Sequence, residues 1–220
     1  MAENDDQEVS YALKVLVTGF GAFQDIKVNP SWEICSQLPP YISWRGLDIQ
    51  IITPPNPLEA AYHTLLSVVP PLLDEHKPDI VLHIGLAVER DYFAIEKGAE
   101  KEGYHQYPDV RRKVFTKAET KKIWGKGSGR LNSSISIEDV VARWAKNAPQ
   151  GLEVKQSDDV GSYVCGFVYY TSLEYFERRS HGERPVLFLH VPPLEGEEEV
   201  DKGKEVFLAL IRAIVESRSG

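Results

Sequence analysis

The chain has 220 residues, 42% of them hydrophobic and 26% charged, with a net charge of −8, values ordinary for one globular domain with a substantial core. That charge argues against nucleic acid or an anionic membrane as partner, since both need a basic surface. No stretch approaches the length of a membrane span, and two cysteines, Cys35 and Cys165, are too few for a disulfide framework. These features predict a reduced, cytoplasmic protein.

Residues 1–12 read as a flexible acidic leader, and residues 13–220 as the folded domain. LKVLVTGF is a short β-branched apolar run that predicts a buried strand entering a Gly-Phe-Gly loop. Pro30, Ser31 and Trp32 open a helix, where proline suits the first turn, and Pro39 and Pro40 stop it. LDIQIIT predicts a second strand, and LEAAYHTLLSVVPPLLDEH a helical stretch interrupted at Pro70 and Pro71. DIVLHIG (79–85) is another buried strand, and FAIEKGA begins a short strand across the mouth of the sheet. Residues 100–134 show no clean period and read as long loops with room for a hairpin.

Ser136 predicts an N-cap for the helix IEDVVARWAKNA, and LEVKQSDD a strand and turn. The helix SYVCGFVYYTSLEYFERR is apolar almost all round its first half, so that half is buried. PVLFLHVP is the last core strand and KGKEVFLALIRAIVES a closing amphipathic helix. The acidic run LEGEEEVD reads as a solvated loop. Strands alternating with helices imply a single-domain three-layer α/β/α sandwich on a mostly parallel twisted sheet. Ligands of such folds sit beyond the carboxyl ends of the strands. The loops Gly19–Phe23, Gly85–Arg90, Asp158–Cys165 and His190–Pro193 are then expected on one side.

Cys165 falls in the opening turns of a helix, where unpaired N–H groups and the helix dipole favour thiolate and could hold an oxyanion. The competing reading is a small buried apolar residue. Cys35, inside an ordinary amphipathic helix, reads as structural. His190 ends a core strand at the predicted site edge, placed to exchange a proton with the thiol; the alternative is a half-buried histidine satisfied by a carbonyl. His83 lies deeper in its strand and points into packing, while His63, His76, His105 and His181 read as exposed. Glu96 could orient a histidine or be one surface acid among Glu89, Glu100 and Glu102. Asp158 and Asp159 are rival orienters whose spacing also suits an Asx turn. No metal-ligand spacing and no phosphate-loop spacing occur, so neither a metal nor another cofactor is expected.

Taken together, KVLVTGFGAF…VNPSW, SDDVGSYVCGFVYYTSL, FLHVPPL and, more distantly, GLAVERDYFAIEK resemble the segments of pyroglutamyl-peptidase I, a family of intracellular cysteine exopeptidases. The order Glu, Cys, His also agrees, and the resemblance runs from Lys14 to the last helix. It implies that Cys165, His190 and Glu96 fill the catalytic positions. It further implies that Phe20, Phe23, Tyr163 and Val164 wall a small apolar pocket for a lactam ring, with Asn29 fixing the substrate. The implied reaction is removal of an N-terminal 5-oxoproline (pyroglutamate) from peptides through an acyl-enzyme. Leu86 and Gly166 depart from the residues common in the family, as do residues 97–134. Two other readings share the scaffold: an inactive homologue that binds a lactam or peptide end, and a general Cys-His amidase or acyltransferase. Oligomeric state is left open.

Overall fold

A computed structural model describes residues 13–180 and 182–218; the acidic leader and His181 lie outside the described residues. In chain order the elements are β1 (Leu13–Gly19), α1 (Pro30–Ser36), β2 (Tyr41–Trp44), β3 (Leu47–Ile52), α2 (Tyr62–His76), β4 (Ile80–Leu86), β5 (Phe93–Glu96), β6 (Gly98–Glu100), α3 (Lys117–Trp124), β7 (Arg130–Asn132), α4 (Ile137–Asn147), β8 (Val154–Ser157), α5 (Val164–Arg179), β9 (Val186–Val191) and α6 (Gly196–Arg218). Seven strands form one sheet in the order β2-β3-β1-β4-β9-β5-β8. Strands β3, β1, β4 and β9 run parallel, and their near-continuous apolar sequences fit strands covered on both faces. Helices α1, α4 and α6 close one face around Val15, Val17, Leu82, Ile84, Leu187 and Leu189. Helices α2, α3 and α5 close the other around Leu16, Val81, Val186 and Phe188. The result is the three-layer α/β/α sandwich expected from the alternation.

Several sequence expectations need correction. Residues 93–96 do not cross the mouth of the sheet; β5 is an inner strand of it, antiparallel to β9 and parallel to β8. Only residues 87–92 separate β4 from β5, too short a connection for the crossover that a parallel strand needs. The chain therefore doubles back, and Glu96 and the loop after β8 approach the site from strands running the opposite way to β1, β4 and β9.

Helix α2 continues through Pro70 and Pro71. Its buried Leu65, Val69 and Leu73 hold the inner face on the sheet, while Ser67 and Pro71 are exposed, so the bonds lost to proline fall toward solvent. Residues 100–134 contain α3, closed by a capping box between Thr116 and Glu119, and β7, which pairs with β6. The late acidic run is not a loop: Glu197, Glu198 and Glu199 form the first turn of α6, where carboxylates complement the helix dipole. Ser136 is the N-cap residue of α4 as expected, though its side chain makes no capping bond. The hairpin strand β2 was not foreseen. Among the described residues no helix is long and apolar enough to cross a membrane.

Candidate active site

Three of the anticipated side chains gather on the α5 face of the sheet. His190 is the register partner of Gly85 in the parallel β4–β9 ladder, so the two share a face. Glu96 stands opposite Phe188 in the antiparallel β5–β9 pair, which puts it on that face as well, diagonal to His190. A diagonal neighbour is within reach of a long side chain, and His190 Nδ1 donates to Glu96 Oε1 at 2.8 Å. A carboxylate only accepts, so this bond fixes the proton on Nδ1 and leaves the Nε2 lone pair free. The imidazole also packs on Phe188, centroids 4.8 Å apart.

Cys165 occupies the second position of α5, after the N-cap residue Tyr163. The first N–H groups of the helix have no intrahelical acceptor and are aimed at the same end. A Cβ on Gly85 would lie 3.0 Å from Cys165 Sγ and 2.7 Å from Phe188 Cζ. Sulfur, histidine and carboxylate are thus brought together around the one residue of β4 that has no side chain. Gly166 packs against the Gly161 carbonyl and the Tyr104 ring. Gly161 itself has φ of +78°, so the entry to α5 folds back tightly on its first turn.

Burial and charge shift the thiol and the carboxylate in opposite directions. Cys165 is half-buried, and burial of the thiol pushes its pKa up to about 12, with the Glu96 charge adding and Arg90 opposing. Removal of the sulfur from water opposes the thiolate that a place at the helix start favours. Glu96 is fully buried. Burial acts to raise its pKa, but His190 foremost, with Ser157 and Arg90 adding, outweighs that effect and holds it below the usual carboxylate value. Its second oxygen, Oε2, has no hydrogen-bond partner.

The remaining residues divide. Phe20, Phe23, Asn29, Tyr163 and Val164 line one small cavity of about 60 Å³ with Cys165, and Ala60 and Leu86 complete the wall. None of these lining residues is charged. Tyr163 Oη is buried without a partner. Asn29 serves the wall as much as any ligand: its Oδ1 accepts from Ser31 N and Oγ at 3.1 and 2.8 Å, and its Nδ2 donates to the Gly21 carbonyl at 3.0 Å.

Asp158 and Asp159 orient nothing at the histidine: Asp158 pairs with Arg130, and Asp159 closes an Asx turn on Gly161 N at 3.1 Å. Cys35 is buried and donates toward the Val17 carbonyl, a structural thiol. His83 is fully buried between Thr18 Oγ1 (2.7 Å) and Ser172 Oγ (2.8 Å), as its place in the strand implied. Of the histidines expected to be exposed, His63 is exposed, bonded to Glu119, while His76 and His105 are half-buried. A larger surface cleft of about 590 Å³ lies along Lys121, Lys126 and Arg178, but it holds neither thiol nor imidazole.

Sequence reasoning passed over Gly85 as a packing partner and Arg90 as a side chain. Their signals were a glycine at the end of an apolar strand and a cation six positions before Glu96. Arg90 Nη1 donates to Glu96 Oε1 at 2.6 Å and Nη2 to the Asp159 carbonyl at 2.9 Å.

Comparison with known proteins bears on the family and the fold. The family model described as pyroglutamyl peptidase matches residues 13–215. Human pyroglutamyl-peptidase 1 is 28% identical over 202 residues, covering 92% of this chain and 90% of its own length. The pyrrolidone-carboxylate peptidase of Pyrococcus furiosus is 29% identical over 193 residues, with 86% and 85% covered. A crystal structure of the Pyrococcus furiosus pyrrolidone carboxyl peptidase shares the fold, with a TM-score of 0.75 at 23% identity over 93% of this chain and 99% of that one. The Bacillus amyloliquefaciens pyroglutamyl peptidase I structure gives the same TM-score at 21% identity, with 93% and 98% covered.

Proposed function

The chain belongs to the pyroglutamyl peptidase family, and from that premise we propose that it is a cysteine exopeptidase hydrolysing the bond after an N-terminal 5-oxoproline, with Cys165 as nucleophile, His190 as base and Glu96 as its orienting group. The observation that carries this reading is a small uncharged cavity whose wall includes the Cys165 thiol, beside a histidine locked in one tautomer by a buried carboxylate.

The substrate fits the cavity by chemistry. A pyrrolidone ring presents an apolar face, one N–H and one C=O, and cyclisation has removed the α-ammonium. Phe20, Phe23, Val164 and Leu86 match the ring face. The unpartnered Tyr163 hydroxyl and the second Nδ2 hydrogen of Asn29 match its polar atoms. An ordinary charged N-terminus would be stripped of water with nothing to pair it.

His190 Nε2 takes the thiol proton as Cys165 Sγ attacks the carbonyl carbon joining 5-oxoproline to the next residue. Burial disfavours a bare thiolate, so a base beside the thiol assists the attack. The tetrahedral oxyanion is held by N–H groups at the start of α5. The imidazolium then protonates the departing amine, the C–N bond breaks and the 5-oxoprolyl thioester remains. Water, deprotonated by His190, attacks the thioester; 5-oxoproline leaves and the thiol is restored. Glu96 stabilises the imidazolium in both halves.

The test is release of a fluorophore from a 5-oxoprolyl amide by the wild type and by Cys165→Ala, with a prolyl amide as control. Turnover of the 5-oxoprolyl amide alone, abolished in the variant, supports the reading. A folded, reduced wild type with no turnover sinks it in favour of a lactam-binding protein. Turnover unaffected by 2-pyrrolidone would favour the general amidase.

A further inference from the structure

Glu96 Oε1 serves two donors at once, His190 Nδ1 at 2.8 Å and Arg90 Nη1 at 2.6 Å. Arg90 comes from the connection between β4 and β5, and its side chain is only 17% exposed. Its other terminal nitrogen, Nη2, donates to the Asp159 carbonyl at 2.9 Å and to Ser157 Oγ at 3.3 Å. Ser157 is the register partner of Glu96 in the β5–β8 pair, and Asp159 lies in the segment that leads into α5 and Cys165. One guanidinium therefore touches both the carboxylate that holds the histidine and the backbone that delivers the nucleophile.

We propose that Arg90 is a positioning residue for the reaction, a clamp whose forked guanidinium fixes Glu96 as an anion under His190 and ties it to the loop that sets the start of α5. The inference rests on the proposed roles of Cys165, His190 and Glu96, and extends them to a residue outside the triad.

Two physical facts support it. A carboxylate with no access to water needs a second partner, and a histidine supplies a full counter-charge only when protonated. Arg90 is charged throughout and keeps Glu96 ionised while His190 cycles between neutral and protonated forms. Secondly, β5 is held in register on β9, but the α5 entry loop leaves β8, which pairs with β5 and not with β9, so no ladder ties that loop to His190 directly. Arg90 bonds at that junction. The charged and titratable groups around Glu96 are Arg90 from the connection, His190 on β9, and Cys165 and Tyr169 on α5; the Tyr169 hydroxyl donates to the Glu96 carbonyl at 3.0 Å.

Arg90→Met and Arg90→Lys separate the clamp from a merely structural role. Two readouts are taken across about pH 5 to 8, where an essential acid or base titrates. One is turnover of the 5-oxoprolyl amide. The other is the rate of iodoacetamide modification at Cys165, followed by mass of the peptide that carries it, so that Cys35 does not contribute.

Arg90→Met is expected to lower kcat by about tenfold or more with KM within about twofold, and to move the acid limb of both profiles upward. Arg90→Lys, which restores the charge but not the fork, should return the limb toward its wild-type position while recovering only part of kcat. A variant that is less stable yet keeps kcat and both limbs unchanged would overturn the proposal. If the wild type itself fails to turn over, the function reading falls, and the modification profile alone still tells whether Arg90 governs the Glu96–His190 pair.

Discussion

Cys165 Sγ occupies ground that a side chain on Gly85 would need: a Cβ built there would stand 3.0 Å from the sulfur and 2.7 Å from the Phe188 ring. Since Gly85 is also the ladder partner of His190, this one missing side chain lets the Cys165 thiol and the His190 imidazole share a site. Gly85→Ala should therefore cost about 1–3 kcal/mol of stability, as overpacking does, and reduce kcat by more than about a hundredfold, because a small displacement of a reacting atom is amplified in rate. Denaturant unfolding and turnover measured side by side check both. Wild-type turnover in the alanine variant would show that the crowding is relieved harmlessly.

Removal of each triad member should not be equivalent. Glu96 does no bond chemistry in the proposed reaction, whereas Cys165 and His190 do. Glu96→Gln is expected to retain at least about tenfold more residual kcat than Cys165→Ala or His190→Ala. Equal losses at all three would contradict the division of roles.

The burial that pushes the Cys165 thiol up to about 12 predicts slow modification of the free enzyme. Near neutral pH, iodoacetamide should react with Cys165 more slowly than with free cysteine, the thiol proton passing to His190 as the sulfur is alkylated. Cys35, likewise pushed up to about 12 by burial, should be slower still. Modification of Cys165 faster than free cysteine would instead reveal a thiolate–imidazolium pair already formed at rest.

His83 gives a stability signature at acid pH. Burial depresses its pKa to about 3, whereas in the unfolded chain it titrates near about 6.5. Above that value the group costs nothing; as pH falls from about 6.5 toward 3, only the unfolded state takes the proton and stability declines. His83→Gln keeps a donor and an acceptor for Thr18 and Ser172 but removes the titration. Its stability should fall less steeply than the wild type's over that window. Parallel slopes would mean that His83 is not the group responsible.

Tyr163 offers a separation of stability from binding. Its hydroxyl is buried and unpartnered in the free protein, a cost that Tyr163→Phe removes. The variant should unfold at the same temperature or higher, yet bind the 5-oxoprolyl amide with KM raised by about fivefold, the worth of one hydrogen bond. A lower unfolding temperature with unchanged KM would place that hydroxyl in the fold rather than the pocket.

Most of the architecture is legible along the chain. Buried runs such as LKVLVTG and VLFLHV are local patterns whose meaning does not depend on distant partners. Pro30 at a helix start and the all-round apolar opening of α5 are likewise local, as is a cysteine placed among the first N–H groups of a helix. Tertiary structure decided what those residues do to one another. Helix α2 survives two prolines because its inner face is held on the sheet, a strength no local propensity reports.

Helix α3 was a different failure, since its Thr116–Glu119 capping box was there to be read. Glu96 was one acid among several until the short β4–β5 connection sent β5 back beside β9 and buried it against His190. Arg90 was a loop cation until the same reversal set it between Glu96 and the entry to Cys165. The thiol's pKa also turns on packing, because desolvation comes from neighbours far apart in sequence, whereas a helix dipole is placed by local pattern. Propensity and pattern are short-range quantities, while register, burial and charge pairing belong to the assembled sheet.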